Sequence, residues 1–159
     1  NMRRLTQALT YPGIGLIEGT NISVGRGTDT PFEILGAPWC DGTRLAGRLN
    51  SQDLPGIAFV PARFRPTSSK HKDTDCFGVQ VLVTDWRTFQ PVRTGIHIAV
   101  ALHELFPDAW DTKRLDWLLK HKPTFEAILK GTPADEIIAT WRRPLDLFRL
   151  RRRPFLLYE

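Results

Sequence analysis

Apolar positions along this chain change their pattern about halfway. Short apolar runs bounded by turn formers fill the first half, and apolar positions at helical spacing fill the second. The run Gly13–Ile17 reads as a strand. The following Gly19–Pro31, dense in turn formers and short hydroxyl side chains, reads as a loop over the surface rather than through the core. Ile57–Val60 is short and apolar, and Phe77–Val83 alternates with β-branched residues on one face. With the basic, hydroxyl-rich Pro66–Lys72 between them, these two runs predict an antiparallel pair joined by an exposed connection.

Farther on, Thr94 is placed to cap a helix whose apolar positions Ile96, Ala99, Val100 and Leu102 to Phe106 recur at helical spacing, with Pro107 as its stop. Trp110–Lys120 and Thr124–Leu129 read as short helices. Another starts at Thr132–Glu136, with Thr132 as N-cap, Pro133 in the first helical position and acids in the first turn. Pro144 should kink it, and Phe155–Tyr158 reads as an edge strand. Strands first and helices after them give an α+β class: a small antiparallel or mixed sheet with helices in the C-terminal half, and no doubly wound sheet.

Composition narrows the picture. A chain of 159 residues, 42% hydrophobic and 25% charged, is sized for one domain. Its twelve prolines and twelve glycines follow no period, which excludes a collagen-like or low-complexity segment. No apolar run approaches the ~18 residues of a membrane span, and none follows the Arg3-Arg4 pair as a secretory signal would require. The formal charge of +5 owes much to Arg142, Arg143, Arg149, Arg151, Arg152 and Arg153. Such a cluster is a solvated helix face, or it meets an anionic glycan, an acidic partner or nucleic acid. Nucleic acid is not the expected partner, because the cluster lacks the interleaved aromatics of a single-strand binder.

Cys40 and Cys76 show neither CxxC nor Cys/His spacing, so two free thiols are expected rather than a zinc site or a disulfide. His71, His97, His103 and His121 form no HExxH pattern, and His71 is expected in solvent. No metal or cofactor is anticipated. Gly19, Gly25 and Gly27 fail as a phosphate loop, since arginine is followed by glycine where lysine and a hydroxyl residue are required.

What Glu18–Asp29 does offer is an inventory for sugars. The amide of Asn21 and the hydroxyls of Ser23 and Thr28 match ring hydroxyls or an N-acetyl group, and the planar fork of Arg26 matches a carboxylate. Tyr11, Phe32 and Trp39 supply aromatic faces nearby. Lys70 and His71 add a contact for an anionic substrate. Glycoside hydrolysis needs two carboxyl groups about one bond, and Glu18 is the candidate here, as a catalytic acid or as a residue that orients its neighbours. A loop whose polar residues merely cap one another would carry the same inventory.

The segments Tyr11-Pro12-Gly13, Glu18-Gly19-Thr20-Asn21, Gly25-Arg26-Gly27-Thr28, Pro31-Phe32-Glu33 and Gly36-Ala37-Pro38-Trp39 resemble the signature of the YbbC/NamZ-like family, exo-acting β-N-acetylmuramidases. Further echoes are Ser69-Lys70, Cys76-Phe77-Gly78-Val79, Phe89-Gln90-Pro91-Val92 and the tail Arg152 to Tyr158, so the resemblance spans nearly the whole chain. Cys40 stands where an aliphatic residue is expected, and Trp86 where a charged one is common. The resemblance implies that residues 1–159 form a single domain, the C-terminal half of a longer two-domain protein whose N-terminal Rossmann-like domain holds further acidic residues. It also implies a cleft between the halves, a muramic-acid-containing glycan as substrate, the N-terminal domain as partner, and an extracytoplasmic location. The competing expectation is a glycan-binding or protein-interaction module without chemistry.

Overall fold

A computed structural model describes residues 2–158. Its elements run α1 (Leu5–Ile14), a 3₁₀ turn (Gly15–Ile17), β1 (Ile34–Ala37), α2 (Gly42–Asn50), β2 (Ile57–Phe64), β3 (Cys76–Val83), α3 (Pro91–Leu105), α4 (Asp116–Leu119), α5 (Lys122–Leu129), α6 (Ala134–Ala139), α7 (Arg142–Arg152) and a 3₁₀ turn (Arg153–Phe155). The class is α+β. The sheet is antiparallel throughout, in the order β1-β3-β2, with Leu35 opposite Val79 and Phe59 opposite Val81.

The expected hairpin of β2 and β3 is present, and longer than the apolar runs alone, because Pro61–Phe64 extends β2 into its partner's register. Val79 and Val81 turn inward, whereas Leu82 on the other face and Phe77 near the strand's start are exposed. α2 covers the inner face, entering through Asp41, whose carboxylate accepts from the Arg44 N–H at 3.0 Å. α3 lies against α2 and α1 and buries Ile96, Ile98 and Leu102. Each such side chain contributes about 1.5–3 kcal/mol of burial.

Several expectations change. Gly13–Ile17 is not a strand: it finishes α1 and turns once more as 3₁₀. The cause is tertiary, since α1 crosses α3 where Gly13 meets Gly95 and a Cβ on Gly13 would lie 2.0 Å from the Pro91 carbonyl oxygen. Two helices approach that closely only where side chains are missing. Gly19–Pro31 does not stay on the surface either. Thr20, Ile22, Ser23 and Val24 are buried, and Ser23 exchanges two backbone hydrogen bonds with Gly36, at 2.9 and 3.0 Å, beside β1. β1 and α2 follow it, in a stretch where the apolar pattern predicted no element.

The long helix begins at Pro91 with Gln90 as its cap, leaving Thr94 inside its first turn, and it stops at Leu105. Trp110–Lys120 keeps only α4 as helix, since Trp110 turns into the core. Pro133 rather than Thr132 occupies the cap of α6, and the chain breaks at Thr140–Trp141, so that Pro144 sits in the first turn of α7 instead of kinking one helix. Phe155–Tyr158 is no edge strand: it follows α7 as a 3₁₀ turn and exposed chain, and among the described residues it pairs with no strand. Among the described residues no helix is long and apolar enough to cross a membrane.

Candidate functional site

The 3₁₀ turn ends on Glu18, and the chain then doubles back so that Arg26 returns to it. The Nε of Arg26 donates to Oε1 of Glu18 and its Nη2 to Oε2, the latter at 3.3 Å. This fork keeps Glu18 only 19% exposed and leaves the arginine at 42%. Behind them, the Arg26 guanidinium lies 5.0 Å from the Phe32 ring centre, and Tyr11 meets Phe32 edge-on at 4.8 Å. Phe32 holds a left-handed φ of 65°, a conformation a bulky residue adopts only where its surroundings enforce it. The hydrogen bond with Glu18 raises Arg26 above its ordinary pKa, against the effect of burial.

A second segment closes on the first. Ser69, His71 and Asp73 all carry left-handed φ, at 67°, 57° and 57°, and this coiled loop turns Lys70 and His71 inward. Lys70 Nζ donates to the Glu18 carbonyl oxygen, and His71 Nε2 lies 2.7 Å from the Asn21 carbonyl oxygen, which requires the tautomer with that nitrogen protonated. His71 is therefore half-buried rather than in solvent. The loop is tied down farther by the Thr67 N–H, donating to the Gly27 carbonyl oxygen at 2.8 Å. Burial pushes the Lys70 ammonium below the ordinary lysine range; Glu18 opposes the shift, and Arg114 and Arg26 add to it.

Three of the residues read as sugar ligands spend their polar atoms on the protein. Asn21 Nδ2 donates to the Ala109 carbonyl oxygen at 2.8 Å, and its Oδ1 accepts from the Asp111 N–H at 2.9 Å. Ser23 is buried, with its Oγ accepting from the Gly25 N–H at 3.2 Å. Thr28 Oγ1 donates to the Gly25 carbonyl oxygen at 2.7 Å and accepts from the Thr30 N–H at 3.1 Å. Short polar side chains in a loop that enters the core satisfy the backbone first, since a buried unpaired amide costs more than a surface contact returns. Trp39 packs on Phe106, 5.5 Å away, apart from this cluster.

The structure thus gathers Glu18, Arg26, Lys70 and His71. Beside them lies a groove of about 720 Å³ whose polar lining includes Arg3, Arg26, Arg65, Thr67 and Ser68. Each of those arginines faces a carboxylate: Asp29, Glu18 and Asp75 respectively. Sequence reasoning gave no role to Arg114 or Trp117, although the i, i+3 spacing of an arginine and a tryptophan was there to see. Cys40 and Cys76 are free, as expected, and both are buried. Among the described residues, no three His, Cys, Asp or Glu side chains form a group able to hold a metal ion.

The chain is thus a three-stranded α+β domain carrying a half-buried cluster of one carboxylate and several cations beside an open groove. The family described as "Exo-beta-N-acetylmuramidase NamZ, C-terminal" matches residues 9–158, and the chain belongs to that family. It is 42% identical to the Bacillus subtilis (strain 168) protein named peptidoglycan beta-N-acetylmuramidase NamZ, covering 99% of this chain and 39% of the relative. Two crystal structures of DUF1343 family proteins from Bacteroides fragilis NCTC 9343 share the fold, each at 26% identity. One has a TM-score of 0.83 over 96% of this chain, the other 0.71 over 98%, and each match takes in 42% of the solved chain. The chain spans about two fifths of the length of these relatives.

Proposed function

We propose that this chain is the C-terminal part of an exo-β-N-acetylmuramidase and forms one wall of its substrate cleft. The enzyme would release terminal N-acetylmuramic acid from the non-reducing end of peptidoglycan fragments, outside the cytoplasm. The observation that carries the reading is the Glu18–Arg26–Lys70 cluster, built by two strained loops in a chain 42% identical to a protein named for that activity. N-acetylmuramic acid bears a carboxylate on its lactyl group. Lys70 and the unbonded edge of the Arg26 guanidinium are the cations that meet it, with His71 beside them, while Asn21, Ser23 and Thr28 hold the wall in shape.

In the reaction, water adds at the anomeric carbon, the glycosidic bond breaks and its oxygen takes up a proton, a task usually divided between two carboxyl groups. Glu18 is bonded to Arg26 through both oxygens, a geometry that suits a group orienting the cations better than one delivering that proton. The remaining carboxyl groups would come from the preceding domain.

That domain is the partner this surface requires. α7 and the tail leave Leu147, Leu150, Phe155, Leu157 and Tyr158 between 59% and 90% exposed, and the family match runs to residue 158, so these residues belong to the domain itself. Apolar side chains concentrated in that way mark a contact face.

The test is an assay of the full-length protein on a chromogenic N-acetylmuramic acid glycoside, beside Glu18→Gln and the 159-residue chain alone. Release by the full-length protein, none by the isolated chain and reduced release by Glu18→Gln are expected. Glycan binding without any release would mean a non-catalytic module instead, and full kcat in Glu18→Gln would end its candidacy as an acid.

A further inference from the structure

We propose that Arg114 and Lys70 form a carboxylate-binding subsite at the edge of the cluster, with Trp117 as the platform that holds Arg114 in place. The proposal rests on the glycan-hydrolase reading above and names a recognition element within it.

Arg114 and Trp117 belong to the connection between α3 and α5, far in sequence from Glu18, and the structure shows what brings them there. Asn21 clamps the connection with its two hydrogen bonds to Ala109 and Asp111, and Trp110 Nε1 donates to Thr20 Oγ1 at 3.0 Å inside the core. The next turn then lies directly on Gly19: a Cβ built there would fall 2.2 Å from the Arg114 carbonyl oxygen and 3.7 Å from its Cβ. Lys70 reaches the neighbouring carbonyl oxygen, that of Glu18. The backbone of Arg114 and the ammonium of Lys70 therefore meet one short piece of chain, Glu18-Gly19.

Neither side chain is held in an ion pair among the described residues. Every arginine lining the groove is paired with a carboxylate, whereas among the described residues Arg114 has no ion pair, and Lys70 donates to a carbonyl rather than to an acid. Glu18 is bonded to Arg26 through both of its carboxylate oxygens. The Arg114 guanidinium stacks over Trp117 at 4.7 Å from the ring centre. Stacking fixes its plane while leaving the N–H edges free, which is the arrangement a bidentate carboxylate contact needs. Trp117 itself is 52% exposed and offers the remaining ring surface to the apolar side of a sugar.

The carboxylate would be the lactyl group of a terminal muramic acid or an acid of a peptide stem attached to it. Steady-state kinetics of the full-length protein and its Arg114→Gln, Trp117→Phe and Trp117→Ala variants distinguish the two. The three substrates are a bare muramic acid glycoside, the same glycoside carrying a peptide stem, and an N-acetylglucosamine glycoside that lacks the lactyl group. Arg114→Gln should raise KM about tenfold for the bare glycoside, with kcat changing less, and the penalty should shrink as salt is raised. A penalty confined to the stem-bearing substrate assigns the carboxylate to the peptide. Trp117→Ala should follow Arg114→Gln, and Trp117→Phe should recover most of the loss.

Equal KM changes for all three substrates, or none, would overturn the subsite. Should the wild type release nothing, titration of free N-acetylmuramic acid against tryptophan fluorescence separates the two ideas. A response in the wild type that Arg114→Gln weakens keeps the subsite and ends the hydrolase reading; no response ends both.

Discussion

Asn21 offers a direct test of how this loop is held. As a sugar ligand, its replacement would weaken substrate binding and leave the fold alone; as a clamp, it would loosen the chain from Phe106 to Trp117. The structure gives it two hydrogen bonds of 2.8 and 2.9 Å to backbone groups remote in sequence. Each is worth about 1 kcal/mol net, so Asn21→Ala should cost roughly 2 kcal/mol. For a chain of this size that corresponds to a fall in melting temperature of roughly 4–8 °C. Asn21→Asp keeps the acceptor for the Asp111 N–H but sets a second oxygen against the Ala109 carbonyl, and should lose at least as much. Thermal melts followed by circular dichroism give the magnitude, and amide hydrogen exchange gives the place: protection at Ala109 and Asp111 should drop. An unchanged melting temperature with unchanged exchange, and a raised KM in the full-length protein, would refute the clamp and restore Asn21 as a ligand.

Gly25 has φ of 79°, and a Cβ there would meet Ile34 Cγ2 at 2.7 Å, so Gly25→Ala should cost about 2 kcal/mol or more in urea unfolding. Burial pushes the Cys40 thiol up to about 12 and the Cys76 thiol to about 11; alkylation at pH 8, read by mass, should label neither until denaturant is added. Burial also pushes the His97 imidazole below its ordinary pKa, with Asp135 opposing. The unfolded chain then binds the proton more readily, so this contribution is present above pH ~6.5 and fades as pH falls below it. The melting temperature of His97→Gln should therefore fall less steeply than that of the wild type between pH 7 and 5, both taken as approximate limits.

Much of this protein was legible in its residues. The β2–β3 pair, the long helix α3 and the α+β class follow from apolar periodicity, which each element carries within itself. The chemistry of Glu18, Arg26, Lys70 and His71 was visible as an inventory, because charge and hydrogen-bonding capacity belong to the side chain wherever it is placed. Its assembly was not. Lys70 meets Glu18, and Asn21 meets Ala109, across separations that no local pattern records. Gly13–Ile17 has the composition of a strand and became helix because Gly95 let α3 approach it. Tertiary contacts likewise drew Ile22 and Val24 inward from a turn-rich stretch, and with that turned Ser23 and Thr28 from surface ligands into supports of the backbone. Sequence determined which groups this domain can present; packing decided which of them remain free to meet a substrate.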